Sequence, residues 1–245
     1  MNLGFSIKLL LFFLASALFI GCAAYFLSDL RLPFLTSSKA TIGTSADVAM
    51  YKTVVIDAGH GGEDGGASSA AGLIEKDVNL EISKLLCKML REQGVNVVMT
   101  REDDRLLYDR SVNYQGRKKK LDLAARLTIA DTTPDAIFIS IHMNSYTNPK
   151  YSGLQVWYSA NDPSSERLAT LIQSNNRATL QPDNKRKIKA ATSSIFLLDN
   201  ATCPAVLVEC GFLSNPAEAA LFETDEYKQE VAYMLFCSIA EFLEQ

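Results

Sequence analysis

The sequence contains two histidines, and both follow apolar runs that are typical of buried β-strands. His60 comes three residues after the run Tyr51–Asp57, in a segment that has five glycines in the eight positions 59–66. His142 directly follows the apolar run 136–141. Imidazole is a common zinc ligand, and a hydrolytic zinc site combines three protein ligands with a water molecule. The two histidines are therefore candidate zinc ligands.

A carboxylate is expected as the third ligand, and four acidic residues compete for that position. Glu75 is the strongest candidate because it lies in the first turn of the predicted helix after the glycine-rich segment. Asp57, Glu63 and Asp64 remain alternatives, since all three lie within or next to that segment. The helix dipole by itself also favours an acidic residue at a helix start, so Glu75 could serve the helix alone.

Glu209 follows the apolar run Ala205–Val208, where the carboxyl end of another buried strand is expected. Burial of a carboxylate is costly unless the group has a partner or a catalytic role. One interpretation of Glu209 is a buried ion pair. The other is a general base that accepts a proton from the attacking water and passes it to the leaving nitrogen.

Other chemistries fit the sequence less well. There is no Gly-Lys-Ser/Thr motif of a P-loop, and the frame that begins at Gly59 has Asp64 where a dinucleotide-binding motif has its third glycine. Cys210 has no histidine beside it, which argues against a cysteine nucleophile. The cysteines after the N-terminal region lack metal-ligand spacing, so we expect buried free thiols, with two disulfides as the alternative in an exported protein.

Composition narrows the possible functions further. The chain has 24 basic and 28 acidic side chains among 245 residues, which gives a formal net charge of -4. Nucleic-acid-binding proteins normally have a basic surplus, so no nucleic-acid partner is expected. A hydrophobic fraction of 48% and a charged fraction of 21% are typical of a folded domain rather than of a disordered chain.

The candidate residues require elements that bring them to one edge of a sheet, and the chain alternates between strand and helix patterns. Strands are predicted at 51–57, 95–100, 136–141, 153–158, 195–198 and 205–208, and helices at 75–92, 117–130, 164–180 and 226–244. The helix at 117–130 is interpreted as having a basic face. This alternation predicts a layered α/β fold with ligands at the carboxyl ends of the strands.

The N-terminal region differs in composition from the rest of the chain. Residues 9–27 carry no charge, and as a helix they would extend about 28 Å, close to the hydrocarbon thickness of a bilayer. We predict a signal anchor or cleavable signal peptide at 1–27, a linker at 28–49 and an extracytoplasmic domain at 50–245. Cys22 allows a lipoprotein signal, although the residues before it fit that signal poorly.

Four segments, in chain order, resemble the zinc-dependent N-acetylmuramoyl-L-alanine amidases of bacterial cell walls (amidase type 3). They are VVIDAGHGGEDGGA, LIEKDVNLEI, FISIHMN and AVLVECGFLSNPAEAALF. The resemblance covers about residues 52–243 and implies a mixed, largely parallel sheet flanked by helices on both faces. Within the family, the short form with an apolar N-terminus, the MTRE-D stretch and the GFLSNPAEA block are similar to the germination-specific amidases of spore formers.

The resemblance implies that His60, Glu75 and His142 hold one zinc ion per chain and that Glu209 is the catalytic carboxylate. It implies peptidoglycan as the substrate, cleaved between N-acetylmuramic acid and L-alanine. In the spore-specific subgroup the reaction belongs to cortex maturation, where a separate deacetylase cyclises the freed muramic acid to a lactam. The implied location is extracytoplasmic, in the forespore intermembrane space, and a lipoprotein or the deacetylase is a candidate partner.

Further roles and rival functions stay open at this point. Asn144 could donate to a substrate carbonyl, and Arg101 or Arg105 could bind stem-peptide carboxylates, but a structural or solvent-exposed role is an alternative for each. The 66 residues from 143 to 208 are filled by strand and helix patterns, so no autoinhibitory insert is expected. The rival functions are a general wall-remodelling or cell-separation amidase, a zinc peptidase acting on the stem peptide, and an inactive membrane-tethered wall-binding module.

Overall fold

The computed structural model describes residues 51–109, 111 and 114–244. In this part of the chain, strands and helices alternate as predicted. They are β1 (Thr53–Ala58), α1 (Glu75–Glu92), β2 (Asn96–Met99), α2 (Lys118–Thr132), β3 (Ala136–Asn144), β4 (Gln155–Tyr158), α3 (Pro163–Thr179), β5 (Lys189–Ala190), α4 (Phe196–Asn200), β6 (Ala205–Phe212), α5 (Pro216–Phe222) and α6 (Asp225–Leu243).

The signal or anchor segment, the linker and Cys22 lie outside the described residues. Among the helices that the structure does describe, none has both the length and the apolar composition needed to cross a bilayer.

The strands form one mixed sheet in the order β2-β1-β3-β6-β4-β5. β1 is parallel to both β2 and β3, and β3 is parallel to β6. β4 runs antiparallel to β6, and β5 is parallel to β4. The carboxyl ends of β1, β3 and β6 therefore meet at one edge of the sheet, and the largely parallel arrangement implied by the family resemblance is confirmed.

Helices cover both faces of the sheet because successive strand residues point to opposite sides. Val54 and Ile56 of β1 face a large core formed with α1, α3 and α6, which we call the three-helix face. Val55 faces a smaller core formed with α2 and α4, which we call the two-helix face. A strand that is buried on both sides has an almost continuous apolar sequence, as the predicted strands do.

The prediction of an extended strand at 195–198 is wrong, because Ile195 caps the helix Phe196–Asn200 and the next three residues belong to it. A short apolar run does not distinguish a strand from a helix. Here the neighbours Leu197 and Leu198 are both buried in the same core, which an alternating strand does not allow. The cysteines that the structure describes are free thiols, as expected, but only Cys87 and Cys210 are buried, and Cys203 and Cys237 are partly exposed.

Candidate metal centre and catalytic carboxylate

On the two-helix face, polar side chains replace apolar ones from the middle of three neighbouring strands toward their carboxyl ends. Asp57, Ser140 and Glu209 each come two residues after a residue of the smaller core. In the strand register, Asp57 lies opposite Ser140, and His142 lies opposite Glu209. The regular alternation of the strands thus carries these groups to one place, at the edge where the glycine-rich segment leaves β1.

His60, Glu75 and His142 bring three donor atoms together. Glu75 Oε1 lies 3.1 Å from His60 Nε2 and 3.0 Å from His142 Nδ1, and the donor atoms of the group all lie within 4.8 Å of one another. Tetrahedral zinc with bonds of about 2.0–2.2 Å separates its ligands by about 3.3 Å. The group therefore fits a metal ion in spacing, and two imidazoles with one carboxylate are a donor set of hydrolytic zinc sites.

Glu75 reaches this group because the glycine-rich segment folds back onto the start of α1. The Glu75 backbone N–H donates to the carbonyl of Ala67 at 2.9 Å, and Glu75 Oε2 accepts from the Ala67 N–H at 2.7 Å. Glu75 Oε1 also accepts from the backbone N–H of Met143 at 3.1 Å. Burial alone would raise the pKa of Glu75, but hydrogen bonds with His142 and His60 outweigh it and hold that pKa well below its usual range.

Two glycines allow the ligands to approach each other. A Cβ at Gly59 would overlap the His142 ring, and a Cβ at Gly66 would overlap the Glu75 carboxylate. Gly66 also has a positive φ of 68°, which side chains rarely adopt. His60 itself has a φ of 61°, an unusual value for a residue other than glycine, and such strain is characteristic of functional sites.

Arg101 holds the loop 59–74, which we call the ligand loop, from within the protein. Its side chain is fully buried, and its guanidinium donates to the carbonyls of Ala58, Gly59 and Lys76 at 2.8, 3.0 and 2.7 Å. These bonds give Arg101 a structural role, so the substrate contact considered from the sequence is not retained. Arg105 is half exposed and pairs with Asp103.

Arg126 is a second buried arginine beneath the same loop. It donates to Asp57 Oδ1 at 2.7 Å, to Asp122 Oδ2 at 2.7 Å and to the His60 carbonyl at 2.6 Å. The basic face predicted for this helix is therefore wrong at Arg126, which is 1% exposed. The i,i+4 spacing of Asp122 and Arg126 is visible in the sequence, but the second partner, Asp57, belongs to β1 and is distant in the chain, so the burial of Arg126 was not predicted.

The alternative acidic residues take other positions. Asp57 is fully buried and accepts from Thr100, Ser140 and Arg126. Asp64 Oδ1 lies 2.9 Å from His60 Nδ1, on the nitrogen that faces away from Glu75. Glu63 forms an exposed ion pair with Lys118. None of these three carboxylates belongs to the donor group formed by the described residues.

Glu209 lines a cavity of about 230 Å³ together with His60, His142 and Asp64. Its Oε2 is buried and has no hydrogen-bond partner among the residues that the structure describes. Burial raises the pKa of Glu209 to about 7, although the neighbouring His142 opposes the rise. The structure thus does not support a buried ion pair for Glu209, because one of its carboxylate oxygens has no partner among the described residues.

Asn144 and Cys210 complete the set of residues considered from the sequence. The backbone carbonyl of Asn144 accepts from the Leu213 N–H at 2.8 Å, and Asn144 lies two residues beyond His142 on β3. Cys210 is fully buried on the three-helix face, and burial raises the pKa of its thiol, so it remains protonated at neutral pH. Cys210 is therefore unsuited to act as a nucleophile.

Comparison with known proteins identifies the family. Residues 54–241 match the family described as N-acetylmuramoyl-L-alanine amidase. The chain belongs to this family. The resemblance seen in the four sequence segments is confirmed, and the chain is a peptidoglycan amidase.

Individual relatives resemble the amidase over most of their length. The germination-specific N-acetylmuramoyl-L-alanine amidase of Bacillus subtilis (strain 168) is 37% identical over 194 residues, covering 79% of this chain and 81% of the relative. The CwlD amidase from Clostridioides difficile, solved in complex with the GerS lipoprotein, has 35% identity and a TM-score of 0.75, covering 79% of this chain and 98% of that one. The N-acetylmuramoyl-L-alanine amidase from Clostridium difficile 630 has 29% identity and a TM-score of 0.69, covering 80% and 98%.

Proposed function

We propose that this amidase cleaves the bond between N-acetylmuramic acid and L-alanine with a zinc ion held by His60, Glu75 and His142, and with Glu209 as the general base. The observation that supports the proposal most directly is the pairing of Glu209 with His142 across β3 and β6. Glu209, whose Oε2 has no hydrogen-bond partner among the described residues, thus lines the same cavity as the two imidazoles.

Each residue of the site has a distinct role in the proposed reaction. Zinc in such a site supplies Lewis-acid polarisation of a carbonyl and lowers the pKa of water. Glu209 accepts the proton of the attacking water at its free Oε2 and delivers it to the leaving amine. A pKa of about 7 suits both transfers at neutral pH. Glu75 is held ionised between the two histidines, and Arg101 and Arg126 fix the backbone that carries His60.

We further propose that the substrate is spore cortex peptidoglycan. The support is the similarity to the germination-specific amidase of B. subtilis and to the CwlD amidase of C. difficile. The amidase would act outside the cytoplasm, with segment 1–27 as anchor or signal, 28–49 as linker and 50–245 as catalytic domain. Its product would be the substrate of the deacetylase that forms muramic lactam, and a lipoprotein partner is proposed from the complex of the C. difficile neighbour.

The reaction is tested by digesting purified cortex and vegetative peptidoglycan with the zinc-loaded full chain and identifying the new amine. We expect L-alanine as the new amino terminus, released faster from cortex. An internal stem residue as the new amine would instead identify a peptidase. Faster release from vegetative wall would favour the cell-separation role, and binding without any release would favour a wall-binding module.

The metal assignment is tested separately by zinc content. We expect that His60→Ala and His142→Ala each abolish stoichiometric zinc, because two remaining ligands do not retain the ion. Glu63→Ala is the matched control, since Glu63 lies in the same loop but outside the donor group. Retention of stoichiometric zinc by both histidine variants would contradict the assignment.

A further inference from the structure

The cavity beside Glu209 is lined in part by an apolar wall and in part by a cationic side chain that is largely exposed. The wall consists of Leu123, Ile195, Phe196, Leu197 and Leu207. The cationic side chain is Lys119, the second residue of α2. An apolar wall and a single accessible charge are the features with which a site orients a substrate that has methyl groups and a carboxylate.

Lys119 differs from the other cations near the site. Among the described residues that line the cavity, Lys119 and Arg126 carry permanent positive charges, but Arg126 is 1% exposed and paired with two aspartates. The neighbouring Lys118 is paired with Glu63 and lies over the Tyr114 ring. Lys119 is therefore the cation that a substrate in this cavity can reach.

Lys119 forms a weak, exposed ion pair with Asp64. Lys119 Nζ lies 3.9 Å from Asp64 Oδ2, and the lysine side chain is 72% exposed. Ion pairs that are exposed to this degree contribute little to stability, because water screens them and the long side chain loses freedom. Lys119 can consequently exchange Asp64 for an anionic group of the substrate at small cost, while Asp64 remains close to His60 through its other oxygen.

The chemistry of the substrate fits this arrangement. The lactyl and alanine groups on either side of the scissile amide each carry a methyl group, which suits the apolar wall. The next stem residue is a glutamic acid joined through its side chain, which leaves its α-carboxylate free. Four acidic residues line the cavity. Asp57 and Asp122 are paired with Arg126, but Asp64 and Glu209 are not, so a substrate carboxylate entering there needs a compensating cation.

We propose that Lys119 binds the free α-carboxylate of the stem residue that follows L-alanine, and that the amidase therefore prefers stem peptides in which this group is not amidated. The inference rests on the proposed function, because it takes the stem peptide as the leaving group. It deepens that function by assigning a residue that selects the substrate and sets the direction in which the stem peptide leaves the cavity.

The test uses the zinc-loaded full chain and soluble, uncross-linked peptidoglycan strands in two forms, with this carboxylate free or amidated. We expect the wild type to favour the free acid by about tenfold in kcat/KM, mainly through KM, because the contact is made equally in ground and transition states. Lys119→Ala should lose this preference, and Lys119→Glu should reverse it. Lys120→Ala is the matched control, since Lys120 is the next residue of the helix, is exposed and does not line the cavity.

Zinc content is measured on every preparation, so that an effect through Asp64 and His60 is recognised. The inference would be overturned if the wild type and Lys119→Ala had the same ratio of kcat/KM for the free acid to kcat/KM for the amidated form. With normal L-alanine release by both proteins, the proposed function would remain intact. Absence of L-alanine release by the zinc-loaded wild type would overturn the proposed function, and this inference with it. Loss of preference in Lys120→Ala as well would also overturn the assignment to Lys119.

Discussion

The two faces of the sheet differ in chemistry although β1, β3 and β6 contribute to both. On the three-helix face these strands carry apolar side chains along their buried length, packed against α1, α3 and α6. On the two-helix face they are apolar only at first and then present Asp57, Ser140, His142 and Glu209. The first face supplies most of the buried apolar area, and the second supplies the candidate site.

The sheet positions reactive groups on one face through the packing of the other face. Neighbouring residues of one strand serve opposite faces, so Val208 and Cys210 anchor β6 in the large core while Glu209 between them faces the cavity. The position of Glu209 is therefore set by packing on the opposite side of the sheet. Substitutions at Glu209 and in the large core should therefore separate catalysis from stability.

The largest effect is expected for Glu209→Gln on the two-helix face. Gln preserves the shape but cannot accept the proton of water, so hydrolysis should fall by roughly 10²–10⁴-fold. Zinc content and melting temperature should change little, because Glu209 Oε2 has no hydrogen-bond partner to lose among the described residues. Amine release, zinc content and melting temperature are measured on one preparation.

The matched control for Glu209→Gln is Glu218→Gln, which changes a second buried glutamate. Glu218 accepts from the backbone N–H groups of Gly153 and Phe212, so this change should lower stability by about 1–3 kcal/mol without a comparable loss of rate. A Glu209→Gln variant with a near-normal rate and a clearly lower stability would make Glu209 structural. Asp57, Glu63 and Asp64 would then be reconsidered as bases.

The second prediction concerns the buried charge pair of the two-helix face. Burial alone would raise the pKa of Asp57, but the Arg126 guanidinium and the Ser140 and Thr100 hydroxyls outweigh it and lower that pKa. Asp57→Asn should cost about 3–5 kcal/mol at neutral pH, because it leaves Arg126 buried with less compensation.

The pH dependence of this effect has a definite sign. A lowered folded-state pKa gives stability that is present above the unfolded value of about 3.9 and is lost as pH falls through the folded value. The wild type should therefore approach Asp57→Asn in stability below about pH 4. Denaturant unfolding with a chelator present measures the difference. Ser140→Ala should show a smaller loss that also shrinks as Asp57 is protonated, because the Ser140 hydroxyl donates to the ionised carboxylate. An equal difference at pH 3 and pH 7 would refute this account.

The third prediction tests the three-helix face. Leu235 of α6 is fully buried in the large core, and Leu235→Ala should lower the free energy of unfolding by about 2–5 kcal/mol by leaving a cavity. The rate per folded molecule and the zinc content should be unchanged. Tyr233→Ala on the same helix is the control, because Tyr233 is 48% exposed and should have an effect within about 0.5 kcal/mol. A selective loss of rate in Leu235→Ala would show that the two faces are not separable.

The smallest effect is expected for Asp64, which lies behind the proposed metal ligand His60. Asp64 Oδ1 lies 2.9 Å from His60 Nδ1, and carboxylates in this position orient a histidine toward its metal. Asp64→Asn should weaken zinc binding by about 10–100-fold, as measured by competition with a chelator. Glu63→Gln should leave the affinity unchanged, because Glu63 pairs with Lys118 outside the donor group. Unchanged affinity in Asp64→Asn would limit Asp64 to holding the loop.

Local patterns were sufficient to predict most of the elements. The spacing of Val78, Ile82, Leu85, Leu86 and Met89 predicts the helix α1, in which Val78, Ile82 and Leu86 are buried. The apolar runs identify β1, β3 and β6. The same runs placed His142 and Glu209 directly after buried strands, but β3 continues to Asn144 and β6 to Phe212, so both residues lie within their strands. The helix α5 had a readable signal in Asn215 followed by Pro216, a cap and a first-turn proline, but it was not predicted.

The sequence by itself determined which residue types stand at the ends of the strands, and it limited the third donor to a few carboxylates. Only the tertiary structure decided that Glu75 joins the histidines while Asp57 and Asp64 take other partners. It likewise decided that Arg101 and Arg126 are buried under the ligand loop. The physical reason is that local periodicity reports which side of an element a residue occupies. Which groups meet depends on how the loop 59–74 folds back on α1 and on partners that are distant in the chain.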